Sequence, residues 1–338
     1  MSGRLEKDNL IEEKIKILIE QKPSIIVSYS KSFGNKTVNT KYVYIKHAIN
    51  FCDYLKREFN INIGNFNDIK NINYSHITSY MDYIKDYDPY GNKTHKEAGT
   101  CAAEFYAVKH FCKYLKRCRY IDYNPCDEFE VPKDKKEKNI ISLTPEEIQI
   151  VKNNIFNGVG SNKAKAKQAK WKTRDLCMIF LGITTGLRVS AISNIDIDDI
   201  DLDNKTLKTI EKGNYTRTIF LSDKMVELIQ DWIKDRERIV NEYGGCNNCN
   251  ALFISSNKQR IGVATIRDIL KKYTYNINKH ITPHKLRSTA ATNLYDATGD
   301  IYLVADVLGH HNIQNTKRYA KMSTHRRKFA ANTLSKLM

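Results

Sequence analysis

Apolar residues recur along this chain at intervals of three and four, the period of a helix with one buried face. In "TVNTKYVYIKHAINFCDYLKREF" the positions Tyr42, Ile45, Ile49, Cys52 and Leu55 form one stripe, with lysines opposite. A second stripe, Phe105, Val108, Cys112 and Leu115, runs through "CAAEFYAVKHFCKYLKR". Both predict packed helices within residues 37–130, and "YIDYNPC" closes that unit because the residue before Pro125 is pushed out of helical geometry. An earlier helix, around residues 5–21, makes residues 1–36 an N-terminal helical extension.

Residues 131–142, "VPKDKKEKNIIS", are charged, hold a proline and lack an apolar period, which marks an interdomain linker. "SLTPEEI" then opens a second domain, residues 143–338, with Thr144 as N-cap, Pro145 at the first helical position and Glu147 closing a capping box. The apolar run "DLCMIFLGITTGL" predicts a buried helix ending at Gly186. In "LKTIEKGNYTRTIFL" two short strands flank a turn at Gly213 and Asn214, residue types that tolerate positive φ. Helices resume with "DKMVELIQDWIKDRERIV" and continue to the C-terminus, where Phe329, Ala330, Leu334 and Leu337 keep helical spacing. The expected fold is therefore mainly α with a small β-sheet, in two domains, a size consistent with 338 residues.

Charge narrows the partner. Lysine plus arginine outnumber aspartate plus glutamate by 55 to 38, a net +17, which favours a polyanion, nucleic acid first, over an anionic membrane or a merely solvated surface. The first residues lack the apolar core of a signal peptide, and no stretch reaches the roughly 18 apolar residues of a membrane span, so a cytoplasmic location is expected. In that reducing setting the eight cysteines read as free thiols, Cys52 and Cys112 on buried helix faces among them. Cys246 and Cys249 in "GGCNNCN" are a pair without a second pair at zinc spacing, so no metal is expected. The acid-free run "NKAKAKQAKWKTR" carries Lys163, Lys165, Lys167, Lys170 and Lys172, which suit either a solvated face or a track for DNA phosphates.

Four stretches matter together: "TTGLRVS" with Arg188, "EKGNYTR" with Lys212, "TPHKLRS" with His284 and Arg287, and "LGHHNIQNTKRYAK" with His310 and Tyr319. Singly, each reads as ordinary: a surface arginine, a solvated hairpin lysine, a core tyrosine. Jointly they fit phosphodiester transesterification. Two guanidiniums can clamp the oxygens of a phosphate under attack with paired hydrogen bonds. Lys212, at a hairpin tip, can protonate a leaving 5′ oxygen. A phenol is almost wholly neutral at pH 7 and must lose its proton to attack, which makes His284 the candidate base, with His310 a further donor to phosphate.

The ordered set Arg188, Lys212, His284-x-x-Arg287, "LGH" ending at His310, and Tyr319 resembles the tyrosine site-specific recombinases, the family of phage integrases and chromosome-dimer resolvases. The likeness extends from about residue 37 to the end. It implies a two-domain clamp on double-stranded DNA, a helical core-binding domain plus a tyrosine-recombinase catalytic domain, acting as a homotetramer on paired sites. It further implies attack by Tyr319 to give a 3′-phosphotyrosine link, two strand exchanges through a Holliday junction, no cofactor, and a C-terminal helix docked on a neighbouring protomer. An accessory protein that sets direction is compatible with either integration and excision of a mobile element or replicon dimer resolution. One position departs: the family's acidic residue three after the "GLR" arginine is Ala191 here. Alternatives are a catalytically silent sequence-specific DNA-binding protein, which Ala191 would suit, and an enzyme like type IB topoisomerases or telomere resolvases.

Overall fold

The computed structural model describes residues 3–86, 96–131, 140–210, 216–242, 250–310 and 312–322. The chain divides into two units, Met1–Glu137 and Lys138–Met338, and the division falls in the stretch read as a linker.

The first unit is helical. It runs through α1 (Gly3–Ile19), α2 (Ser24–Ser30), α3 (Val38–Phe59), α4 (Phe66–Ile69), α5 (Tyr74–Asp86) and α6 (Ala98–Arg117). Thr37 caps α3 by accepting from the Thr40 amide, and Asn60 in the left-handed region ends it. Along α3 and α6 the stripe residues Ile45, Ile49, Cys52 and Leu55, and Phe105, Val108, Cys112 and Leu115, are buried in one core, whereas Tyr42 at the start of the first stripe is half-buried. The N-terminal extension packs into that same core: α2 contributes Ile25, Ile26 and Tyr29, and Ile15, Leu18 and Ile19 of α1 lie against it. Cys52, Cys101, Cys112 and Cys126 are buried free thiols, whereas Cys118 is exposed.

Among the described residues of this unit, one carboxylate is buried. Glu104, 4% exposed, accepts the Tyr80 hydroxyl at 2.9 Å and the Lys96 ammonium at 3.2 Å. Burial alone would raise its pKa, but His47, the Tyr80 hydroxyl and Lys96 outweigh that and hold the carboxyl at about 2. His47 Nδ1 stands 3.4 Å from the carboxylate, longer than a good hydrogen bond, so the hydroxyl and the ammonium are the firmer partners.

The second unit begins with α7 (Pro145–Asn157), whose Thr144–Glu147 capping box forms in both directions. Then follow α8 (Asn162–Ala169), α9 (Lys172–Thr185), α10 (Val189–Asn194), a short 3₁₀ turn, and an antiparallel sheet in the order β1 (Ile200–Asp201), β2 (Thr206–Ile210), β3 (Thr216–Phe220). In register, Leu207 faces Ile219, and both point into the core, whereas Ile210 and Phe220 remain exposed. The strand β1 has no counterpart in the sequence pattern, because two residues carry no period. Lys212 and the turn residues Gly213 and Asn214 lie outside the described residues.

The chain continues through α11 (Asp223–Glu242), α12 (Val263–Tyr273), α13 (Pro283–Thr298), α14 (Ile301–Leu308) and α15 (Gln314–Met322). Helix α9 is the hub, its Leu176, Cys177, Met178, Ile179, Leu181 and Ile183 buried in a core shared with α11, α12 and α13. At its start Asp175, fully buried, takes two hydrogen bonds from Arg174 and one from the Tyr273 hydroxyl, which fastens α9 to α12. None of the described helices is long and apolar enough to cross a membrane. Cys246, Cys249, His311 and the tail with Phe329 to Leu337 lie outside the described residues.

Candidate active site

Two glycine turns build the site. Helix α9 ends at Gly186, whose φ of +64° belongs to the left-handed region and whose amide bonds back to the Gly182 carbonyl. A Cβ there would come within 2.6 Å of Leu308 Cδ2, so the position excludes a side chain on space as well as on conformation. The tight turn delivers Arg188, in extended backbone, to the N-cap of α10. Helix α14 ends likewise at Gly309, φ +64°. Its amide bonds to the Asp306 carbonyl and that of His310 to Ala305, the paired bonds of a Schellman motif. That motif is the physical content of "LGH": it turns the chain so that His310 leaves the helix end at a fixed angle.

Arg287 joins the two turns. It is 3% exposed, and its guanidinium donates from Nη1 to the Gly186 carbonyl at 2.7 Å and from Nη2 to the Leu308 carbonyl at 2.6 Å. One side chain of α13 therefore fixes the turn bearing Arg188 against the turn bearing His310. His284, one turn before Arg287, is exposed at the start of α13, after Thr282 and Pro283. From the hairpin, Arg217 of β3 donates to the Asp306 carbonyl and ties the sheet to the end of α14.

Electrostatics show the residues converging. Burial lowers the pKa of His310 first, then the charges of Arg287, Arg188 and Arg318 and the neighbouring His284, down to about 4. His284, although open to solvent on one side, is lowered first by partial desolvation and then by Arg318, Lys285, Arg287 and Arg188. Two imidazoles from different elements thus feel the same three arginines, whose charges add to desolvation in lowering both pKa values. Such a cluster is poised for an anion, since a bound phosphate would relieve the mutual repulsion of the cations.

The structure therefore brings Arg188, His284, Arg287 and His310 together. It adds two residues that the sequence pattern does not single out. Arg318 shows there only as one of the basic residues beside Tyr319, and helical phase is what turns it toward the histidines. Thr316, fully buried, has its Oγ1 2.8 Å from His310 Nδ1; no local signal marks it. Ala191, at the position where the family has an acid, packs partly buried against the core.

Tyr319 is placed differently from an exposed nucleophile. It is 2% exposed, in a small apolar cluster with Ala291, Val304 and Leu308, and the Arg318 guanidinium stands 5.5 Å from its ring centre. Here the phenol fills a core. Of the basic run, Lys163, Lys165 and Lys167 are exposed along α8. Lys170 lies 3.8 Å from Glu242, and the ammonium of Lys172 is 5.3 Å from the Phe156 ring centre.

Residues 161–326 match the phage integrase family, and that region belongs with the tyrosine site-specific recombinases. The tyrosine recombinase XerC of Caldanaerobacter subterraneus subsp. tengcongensis is 28% identical over 323 residues, spanning 90% of this chain and 84% of the relative. XerS of Streptococcus thermophilus is 32% identical over 177 residues, 52% of this chain and 49% of the relative. In fold the chain is similar to the Tn1549 transposon integrase in complex with transposon right end DNA, with TM-score 0.64, 19% identity, and 91% and 97% of the two chains covered. It is also similar to the XerH site-specific recombinase bound to palindromic difH substrate, with TM-score 0.63, 20% identity, and 88% and 80% covered.

Proposed function

We propose that this chain is a site-specific recombinase that cuts and rejoins DNA strands, with Tyr319 as the nucleophile and Arg188, Arg287 and Arg318 as the cationic seat of the scissile phosphate. The observation that carries this reading is the convergence of three arginines on two neutral imidazoles at the junction of two glycine turns.

The chemistry follows from those groups. Once out of its apolar cluster, the Tyr319 hydroxyl loses its proton to His284, whose depressed pKa leaves it unprotonated and able to accept. The phenolate oxygen forms a bond to phosphorus while the bond to the 5′ oxygen breaks, and Lys212 supplies the proton that oxygen needs. Charge on the non-bridging oxygens is held by Arg188 and Arg287, with a hydrogen bond from His310. The resulting 3′-phosphotyrosine keeps the energy of the broken bond, so a 5′ hydroxyl from a partner strand can reverse the step and join to it. Two such exchanges on paired sites, through a Holliday junction and a homotetramer, complete a recombination. The basic face of α8, with Lys163, Lys165 and Lys167, suits flanking phosphates.

Covalent trapping tests the reading. Nicked duplexes from DNA flanking the gene, incubated in EDTA and stopped with SDS, should give a protein–DNA adduct with the wild type and none with Tyr319→Phe, while both bind the duplex equally. Firm binding without any adduct from the wild type would instead support a silent DNA-binding protein, which the alanine at position 191 would suit.

A further inference from the structure

His310 is held from behind as well as faced by cations. Its Nδ1 lies 2.8 Å from Thr316 Oγ1, and Thr316 is fully buried in the first turn of α15, three residues before Tyr319. A neutral imidazole carries one ring proton, and the bond made by one nitrogen decides whether that proton sits on the other. The choice matters here because the pKa of His310 is lowered to about 4, so its second nitrogen carries either a proton or a lone pair.

The two tautomers differ in kind. With the proton on Nδ1, the threonine oxygen accepts and Nε2 turns a lone pair toward the phosphate, which repels it. With the threonine hydroxyl donating to Nδ1, the proton rests on Nε2 and is offered to the phosphate as charge grows on its non-bridging oxygens. A threonine suits this work, since its β-branched side chain is stiff about χ1 and its backbone N–H donates a hydrogen bond of 2.9 Å to the Ile313 carbonyl.

We propose that Thr316 is the positioning residue for His310, its hydroxyl donating to Nδ1 and so fixing the imidazole as an Nε2–H donor to the scissile phosphate. Thr316 and Tyr319 are one helical turn apart and both buried, so the helix that carries the nucleophile also aligns the donor. The inference rests on the reading of His310 as a phosphate donor given above.

The experiment is single-turnover cleavage of the adduct-forming nicked duplex by the full chain, comparing Thr316→Val, Thr316→Ser, His310→Ala and the Thr316→Val/His310→Ala double variant. Valine keeps the shape and removes the hydroxyl. It should slow cleavage by about ten- to a hundredfold, as loss of an orienting partner does, without weakening DNA binding. Serine, which restores the donor, should return the rate to within about threefold of the wild type. In the His310→Ala background the valine change should add nothing, because the residue it orients is gone. The ¹⁵N spectrum of His310 in the unaltered protein should show the Nε2–H tautomer, a readout that depends on no variant folding.

A wild-type cleavage rate for Thr316→Val, an equal slowing by valine with and without His310, or an Nδ1–H tautomer in the unaltered protein would each overturn the proposal. If His310→Ala itself cleaves normally, the role given to His310 in the site fails, and this inference fails with it; slow cleavage by His310→Ala beside a wild-type rate in Thr316→Val removes the inference alone.

Discussion

Gly186 shows how much one atom can decide. Any other residue there must hold a φ of +64° and bring its Cβ within 2.6 Å of Leu308 Cδ2. Gly186→Ala should therefore cost about 2–3 kcal/mol in urea unfolding, the sum of a left-handed penalty and overpacking. Adding Leu308→Ala should relieve the overpacking and leave the conformational part, less the cavity it creates. A stability change near zero for Gly186→Ala would mean that the turn is not built as described. The glycine of "TTGLR" is readable as a helix end, because glycine takes the left-handed conformation without a Cβ penalty. Arg318 and Thr316 are not readable in the same way. Their roles depend on which face of α15 meets the turn at Gly309, a tertiary fact that no local spacing records.

At the scale of elements, helix periods and caps are legible in the sequence and the bonds between elements are not. The stripe from Tyr42 to Leu55, the box at Thr144, and the end of α9 at Gly186 are local patterns with local causes. The link from Asp175 to Tyr273 joins residues 98 apart in the chain, and the one from Glu104 to Tyr80 is written in no motif. Glu104 makes a testable case. Its folded pKa of about 2 lies below the ordinary carboxylate value, so the unfolded chain takes up the proton first. The stabilisation it brings is complete above about pH 4.5 and fades as pH falls toward about 2, amounting to on the order of 2–3 kcal/mol. Glu104→Gln should accordingly show a shallower loss of stability than the wild type over that acid range, measured by urea unfolding at several pH values. Parallel curves for the two proteins would mean that the buried carboxylate gains nothing from its partners.

For the whole molecule, the net charge of +17 points to nucleic acid before any fold is visible, and the order of four motifs points to the chemistry. What charge alone does not show is where it acts. Binding to duplex DNA should fall linearly as log salt rises, and replacing Lys163, Lys165 and Lys167 by alanine should lower that slope by about 0.9 for each phosphate no longer neutralised. An unchanged slope would make the face of α8 a solvated surface and no more.

If the site works as proposed, one tyrosine among twenty carries the cleaved strand. The SDS-trapped adduct, digested with protease and nuclease, should reveal by mass spectrometry which residue bears the nucleotide remnant. The expected product is phosphate linked to Tyr319, the residue now buried against Val304 and Leu308. A remnant on any other side chain would contradict it.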